Sequence, residues 1–154
     1  MIRDVDGEEY KTAAGSWSND MEAKAVIELC FKLVDANEWY DQSELQLQRI
    51  AVISPYTAQC LKISKGLVPL GLVCFTVDAS QGGVRDVIIV SGVRNNERGA
   101  IGFLSDDRRL NVTLTRARAR TVLFGNADTF YSANDSWFAW SHLLEHLLEK
   151  VLHL

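Results

Sequence analysis

Residues 72–93 read "LVCFTVDASQGGVRDVIIVSGV". Two apolar runs of strand length, 72–77 and 86–93, flank a turn built on Gln81, Gly82 and Gly83. Neither run alternates apolar with polar residues, so each reads as a strand buried on both faces. Working outward, "RIAVIS" (49–54) is a third β-rich run, stopped by Pro55, and "TVLFGN" (121–126) is a fourth. Helical spacing fills the intervals. The stretch 16–36, "SWSNDMEAKAVIELCFKLVDA", predicts a helix capped by Asn19 or Asp20, with Met21, Ala25, Cys30, Leu33 and Val34 on one face. "YTAQCLKISKGL" (56–67), "RRLNVTLTRAR" (108–118) and a leucine-rich stretch at about 137–152 predict three more. Strands alternating with helices give an α/β fold, a parallel β-sheet flanked by helices. Residues 1–15, polar and punctuated by glycine, read as a linker or upstream tail, which leaves 16–154 as the domain.

The chain has 154 residues, enough for one domain with a real core, and its 47% apolar and 23% charged residues are those of a soluble globular protein. No run approaches the roughly 18 apolar residues of a membrane span. The charged start "MIRDVDGEEYK" does not read as a signal peptide. An intracellular protein of cytoplasm or nucleus is expected. Cys30, Cys60 and Cys74 are isolated, form no CxxC pair and read as reduced apolar fillers. "HLLEH" (142–146) matches a zinc-ligand pattern, but Leu143, Leu144, Leu147 and Leu148 make a core-facing stripe the better reading, and no metal is expected.

The net charge of −4 is unevenly placed: acidic residues dominate 1–48, while arginine clusters at 85–120. "DRRLNVTLTRARAR" (107–120) alone holds Arg108, Arg109, Arg116, Arg118 and Arg120. Such a run is ordinarily a solvated helix face. On an acidic domain it is also a local patch able to bind phosphates.

Four islands stand in order: "SWSNDMEA" (16–23), "ISPYTAQ" (53–59), "FTVDASQGGVRDVIIVSGVRNN" (75–96) and "GFLSDDRRLNVTLTRARARTVLFGN" (102–126). Together they resemble the second RecA-like domain of a superfamily 1 helicase of the up-frameshift and senataxin kind, over about residues 16–147. "PYxAQ" is similar to that family's motif IV, "TVDxxQG" with "DVIIxSxVRxN" to motif V and its extension, and "GFLxDxRRLNVxLTRAR" to motif VI. The resemblance implies a RecA-like, P-loop NTPase-type domain without its own P-loop. It implies Arg116 as the catalytic arginine finger, and Gly82, Gln81 and Arg109 on the nucleotide side. Thr76, Pro55, Tyr56, Arg94 and Asn95 would lie on the nucleic-acid side. ATP and Mg2+ would be bound mainly by a missing first RecA-like domain. The partners implied are that domain and single-stranded RNA or DNA.

The chemistry fits these residue types. Phosphoryl transfer needs positive charge at the γ-phosphate in the transition state, and arginine's planar fork of donors suits it. Gly82 lets the backbone approach phosphate without a Cβ in the way. Gln81 would report the nucleotide state. For Tyr56, stacking on a base and packing internally fit equally well. Arg94 and Asn95, matched to "VRxN", fit a structural or a substrate-contacting role. Arg109 and Arg118 fit anchoring of the motif VI helix or contact with backbone phosphates, and Arg120 fits surface charge.

Two departures bear on the nucleotide. The family commonly carries an acid after "QGx", where this chain has Val84, and an aromatic before the glutamine, where it has Ser80. No GxxxxGK[ST] and no DEA-type box occurs anywhere. The chain therefore reads as half of a motor, inactive by itself, and its abrupt start fits a piece of a longer protein. The alternative is a degenerate helicase-like module that binds nucleic acid or protein without ATP turnover.

Overall fold

The computed structural model describes residues 2–35, 49–80, 83–102, 106, 108–109 and 114–132. Along the chain run β1 (Ile2–Asp4), β2 (Glu9–Lys11), β3 (Trp17–Asn19), α1 (Asp20–Asp35), β4 (Ile50–Ser54) and α2 (Thr57–Leu67). A short 3-10 turn, Val68–Leu70, leads to β5 (Cys74–Thr76), β6 (Arg85–Ser91), β7 (Ala117–Gly125) and α3 (Ala127–Tyr131). Five strands form one sheet in the order β1-β7-β6-β4-β5, and every pairing in it is parallel. β2 and β3 make a separate antiparallel hairpin. This is the α/β, RecA-like architecture expected from the apolar runs.

The period-two geometry of a strand explains why those runs are apolar throughout. On one face, Ile53, Ile88, Val90 and Leu123 pack with Ile101, Leu114 and Phe130. On the other, Val52, Ile89, Val122 and Phe124 pack against Ala23, Val26 and Cys30 of α1 and Ile63 and Leu67 of α2. Each fully buried aliphatic side chain contributes about 1.5–3 kcal/mol, so covering both faces holds the central strands in register. Cys30, Cys60 and Cys74 are free thiols within the second of these layers.

Three expectations change. Residues 2–11 are built into the fold and do not behave as a linker: Ile2–Asp4 pair with Leu123–Gly125, and Glu9–Lys11 pair with Trp17–Asn19. Strands of three residues are too short for periodicity to reveal. The buried face of α1 carries Glu22, Ala23, Val26 and Cys30, whereas Met21 is 59% exposed. The cause is the cap: Asn19 Oδ1 accepts the Glu22 amide (3.1 Å), which fixes the helix start and turns Met21 outward. Finally, β7 begins at Ala117, so Ala117 and Arg118 lie on a strand and not on the expected helix, and Arg120 lies within that strand. The pairs Arg85↔Ala117 and Val87↔Arg120 enclose one extra residue in β7, a bulge at the start of the strand. The leucine-rich stretch near 137–152, with "HLLEH", lies outside the described residues.

Candidate nucleotide and nucleic-acid edges

Parallel strands deliver all their carboxyl ends to one edge of a sheet, and ligands of open α/β folds gather there. In this sheet that edge collects Ser54-Pro55-Tyr56 after β4, Thr76 at the end of β5, and Gly92–Asn96 after β6. Beneath it lies a buried polar layer. Gln59, in the first turn of α2, uses its whole amide: the carbonyl accepts from Ser18 Oγ (2.9 Å) and the Asn19 amide (3.0 Å). Its NH2 donates to Asn19 O (3.0 Å) and Ser91 Oγ (3.1 Å). Ser91 in turn donates to Glu22 Oε1 (2.6 Å), and Ser54 Oγ donates to Ser91 O (3.0 Å). Burying such groups is costly unless they are bonded, so the layer specifies one arrangement of α1, α2, β3 and the strand ends.

From Ser91 the chain bends sharply. Val93 adopts φ 72, a left-handed conformation rare for a β-branched residue. The bend sends Arg94 inward, to 7% exposure, where Nε and Nη2 donate to the Glu9 carboxylate at 2.9 and 3.4 Å. The guanidinium lies 4.2 Å from the centre of the Trp17 ring, a cation–π contact. Asn95 donates its amide to Glu9 Oε2 (2.7 Å) and its side chain to Gly7 O (2.7 Å) and Asp6 Oδ1 (3.1 Å). Burial pushes the Glu9 carboxyl up, but hydrogen bonds from Arg94, the Asn95 amide and Asn96 outweigh it and hold it below the usual range. Arg94 and Asn95 thus fasten the β2–β3 hairpin to the carboxyl edge.

Pro55, Tyr56 and Thr76 are half-buried on the same edge. Among the described residues the buried Tyr56 hydroxyl makes no hydrogen bond, and it lies beside the Arg94 guanidinium, which fits internal packing of the ring tip. It abuts Gly102, which sits at φ +56; a Cβ there would stand 2.5 Å from Tyr56 Oη and 2.8 Å from Arg94 Nη1. Glycine at this position therefore lets Tyr56 and Arg94 share one space. Thr76 Oγ1 accepts the Ala79 amide (3.4 Å), starting the turn that leaves β5.

The opposite, amino edge is cationic. Arg85 opens β6, Arg116 stands directly before β7, and the Arg85 amide donates to Arg116 O (3.1 Å). Arg116 is half-buried, while Arg118 and Arg120, in the bulged start of β7, are exposed. The segment from Thr76 to Arg85 runs from the carboxyl edge to this one. Gln81 and Gly82 within it lie outside the described residues; Gly83 has φ +90, and Val84 is 50% exposed. Arg109 pairs with Asp78 of this segment (3.6 Å) and with Asp106 (3.4 Å). At 48% side-chain exposure, each such pair is worth about 1 kcal/mol or less. No metal-binding group of His, Cys, Asp and Glu occurs among the described residues.

Several residues of this arrangement had no assigned role in the sequence. Gln59 and Glu22 stand inside "PYTAQ" and "SWSNDMEA", where they read only as pattern. Asn96 occupies the asparagine position of "VRxN"; its side chain donates to Ala100 O (2.9 Å) and accepts the Ala100 amide (2.8 Å). That spacing was enough to single it out over Asn95. Glu9 lies in a polar stretch that carries no signal at all.

Comparison with known proteins agrees with this geometry. A family model described as an AAA domain matches residues 1–128. The chain is 36% identical over 152 residues to ATP-dependent helicase NAM7 of Saccharomyces cerevisiae, covering 93% of this chain and 14% of that protein. It is 36% identical over 154 residues to regulator of nonsense transcripts 1 of Caenorhabditis elegans, with coverages of 94% and 13%. It is 35% identical over 151 residues to DNA polymerase alpha-associated DNA helicase A of Saccharomyces cerevisiae, with coverages of 89% and 21%. The chain belongs to the up-frameshift-like family of superfamily 1 helicases and corresponds to their carboxyl-terminal RecA-like region. It spans between 13% and 21% of the length of these three relatives. Among the described residues, no helix is long and apolar enough to cross a membrane.

Proposed function

We propose that this chain is the second motor domain of an ATP-driven helicase acting on single-stranded RNA or DNA. Arg116 serves as its arginine finger, toward a nucleotide held by a first RecA-like domain. The observation that carries this reading is the Thr76–Arg85 segment, which begins on the carboxyl edge and ends bonded to Arg116 through the Arg85 amide. A single stretch of backbone thus couples the nucleic-acid side to the nucleotide side. A triphosphate would lie at the amino edge, which carries the half-buried Arg116, the exposed Arg118 and Arg120, and Arg85 beside Gly83 of positive φ. There Arg116, Gly82 and Gln81 would face ATP, with Arg109 bracing the segment through Asp78. Mg2+ would come with the first domain and supply charge neutralisation at the phosphates. Pro55, Tyr56 and Thr76 would face the nucleic acid, with Arg94 and Asn95 holding that face from behind. Residues 16–154, together with β1 and β2, would form this one motor domain.

The half-exposed Val84 favours a second reading, a helicase-like module that binds nucleic acid or protein without turnover. A phosphate-release assay separates the two. The isolated chain is expected to release no phosphate from ATP, because its sequence carries no GxxxxGK[ST] loop. Joined to a first RecA-like domain that carries a P-loop, it is expected to do so, faster with a single-stranded oligonucleotide. A joined protein that binds both ligands yet releases no phosphate would support the module.

A further inference from the structure

The polar layer under the carboxyl edge has one member whose presence neither nucleotide nor nucleic-acid chemistry requires. Glu22, wholly buried in the first turn of α1, accepts from Ser91 Oγ (2.6 Å) and from the Val93 amide (2.8 Å), both through Oε1. Its Oε2 meets no partner among the described residues. The groups facing it are the Ser91 hydroxyl of β6 and the Gly92 and Val93 amides after β6. Among the described residues no ion pair reaches it. A carboxyl taken out of water without a cation is costly, and an aliphatic side chain would fill the same space at less cost. What it does there is geometric. Its Oε1 receives the amide of Val93, the one described non-glycine residue with positive φ. Left-handed backbone at such a residue persists only where the surroundings over-determine it. Arg94 and Asn95 follow that bend directly, and Arg94 shares the Gly102 space with Tyr56.

We propose that Glu22 is a positioning residue: its Oε1 clamps the Val93 bend, and through that bend it sets Arg94, Asn95 and Tyr56 on the carboxyl edge. The link to binding rests on the reading of that edge as the nucleic-acid face. Burial pushes the Glu22 carboxyl up to about 7, against the hydrogen bonds from Ser91, Val93 and Gly92. Oε1 accepts in both states: burial favours the neutral acid below that pH, while the hydrogen bonds themselves favour the ionised one. Ionisation above it leaves an uncompensated charge beneath the edge.

The test is amide hydrogen exchange by NMR on the whole chain, reading Val93 against Ile89 of the sheet core, so that global opening cancels. Glu22→Ala is expected to speed Val93 exchange relative to Ile89 by about tenfold, the loss of one buried hydrogen bond. Glu22→Gln keeps the accepting oxygen and is expected to stay within roughly threefold of wild type. It should also abolish the change in the ratio that wild type shows as pH rises through 7. If Glu22→Ala does not fold, the Glu22→Gln pH comparison decides. A labelled single-stranded oligothymidylate provides the second readout: Glu22→Ala should bind it about tenfold more weakly, and Glu22→Gln should restore binding. An unchanged Val93 ratio in Glu22→Ala, or a Glu22→Gln variant with the pH profile of wild type, would overturn the clamp. Wild type that binds no oligonucleotide would instead defeat the nucleic-acid reading, and the exchange ratio would still decide the clamp.

Discussion

At the carboxyl edge Arg94 is 7% exposed and fixed between Glu9 and Trp17, whereas at the amino edge Arg118 and Arg120 stand in solvent and Arg116 is half-buried. The same residue type does two jobs on one sheet. Where a carboxylate and an aromatic face meet it, arginine becomes structural, and its charge is cancelled inside the fold. Where the sheet bulges, no ion pair among the described residues reaches Arg116, Arg118 or Arg120, and the last two keep their charge in solvent. Motif membership alone does not separate the two cases; the partner carboxylate does. That partner, Glu9, comes from a hairpin 85 residues away in sequence.

The largest expected break in this contrast is at Arg116. In a protein joined to a P-loop domain, Arg116→Ala should lower turnover by roughly 10³-fold or more, with nucleotide affinity changed far less. Steady-state phosphate release over a range of ATP concentrations checks it. A silent Arg116→Ala beside an inactive Arg109→Ala would move the finger to Arg109.

The second break is at the carboxyl edge and concerns stability. Gly102→Ala must place a methyl group against Tyr56 Oη and Arg94 Nη1 in left-handed backbone. A cost of about 1–3 kcal/mol is expected, read from a denaturant midpoint. Tyr56→Ala in the same background should recover part of it, because it vacates the contested space; no recovery would mean that the backbone conformation alone sets the cost.

The buried Glu22 and the half-buried Glu9 sharpen the comparison through pH. Glu22 has a folded pKa raised to about 7 from 4.5, so its contribution is fully present below 4.5 and is lost as pH rises through 7. The difference corresponds to about 3 kcal/mol. Glu9 has a lowered folded pKa, so its contribution is present above 4.5 and is lost as pH falls through the folded value. Urea midpoints across pH should therefore decline on both sides of the mildly acidic range. Glu22→Gln should flatten only the alkaline decline, and Glu9→Gln only the acid one. A single variant that flattens both would show that the two sites are not independent.

Much of this was legible in the sequence because it rests on local pattern. The unbroken apolar character of "DVIIVS" requires cover on both faces, and Ile88 and Ile89 do point to opposite layers. Other parts depend on distant pairing. Nothing in "VDGEEYK" tells that Glu9 will meet Arg94, or that Ile2–Asp4 will find β7. The buried face of α1 is not legible, because Met21 looks like a core residue while the cap at Asn19 turns Glu22 inward in its place. Hydrophobicity patterns rank a glutamate last for burial; only the Ser91 hydroxyl and the Val93 amide that donate to it explain it.

The smallest expected effect is at Val84. Restoring an acid as Val84→Glu should tighten ATP binding by around tenfold, the worth of about one hydrogen bond, without changing oligonucleotide affinity. Titration of ATP against both forms checks it, and equal affinities would take Val84 off the nucleotide side.

The central claim is that the two edges act separately and are coupled through the Thr76–Arg85 segment. It is tested most directly by measuring oligonucleotide affinity and ATP turnover on the same joined protein, in wild type, Arg116→Ala and Thr76→Ala. The account predicts that Arg116→Ala abolishes turnover and leaves oligonucleotide affinity within about twofold, since backbone phosphates held at the other edge carry that affinity. Thr76→Ala should weaken oligonucleotide binding while turnover without oligonucleotide persists. An Arg116→Ala protein that loses oligonucleotide binding yet hydrolyses ATP at the wild-type rate would contradict it.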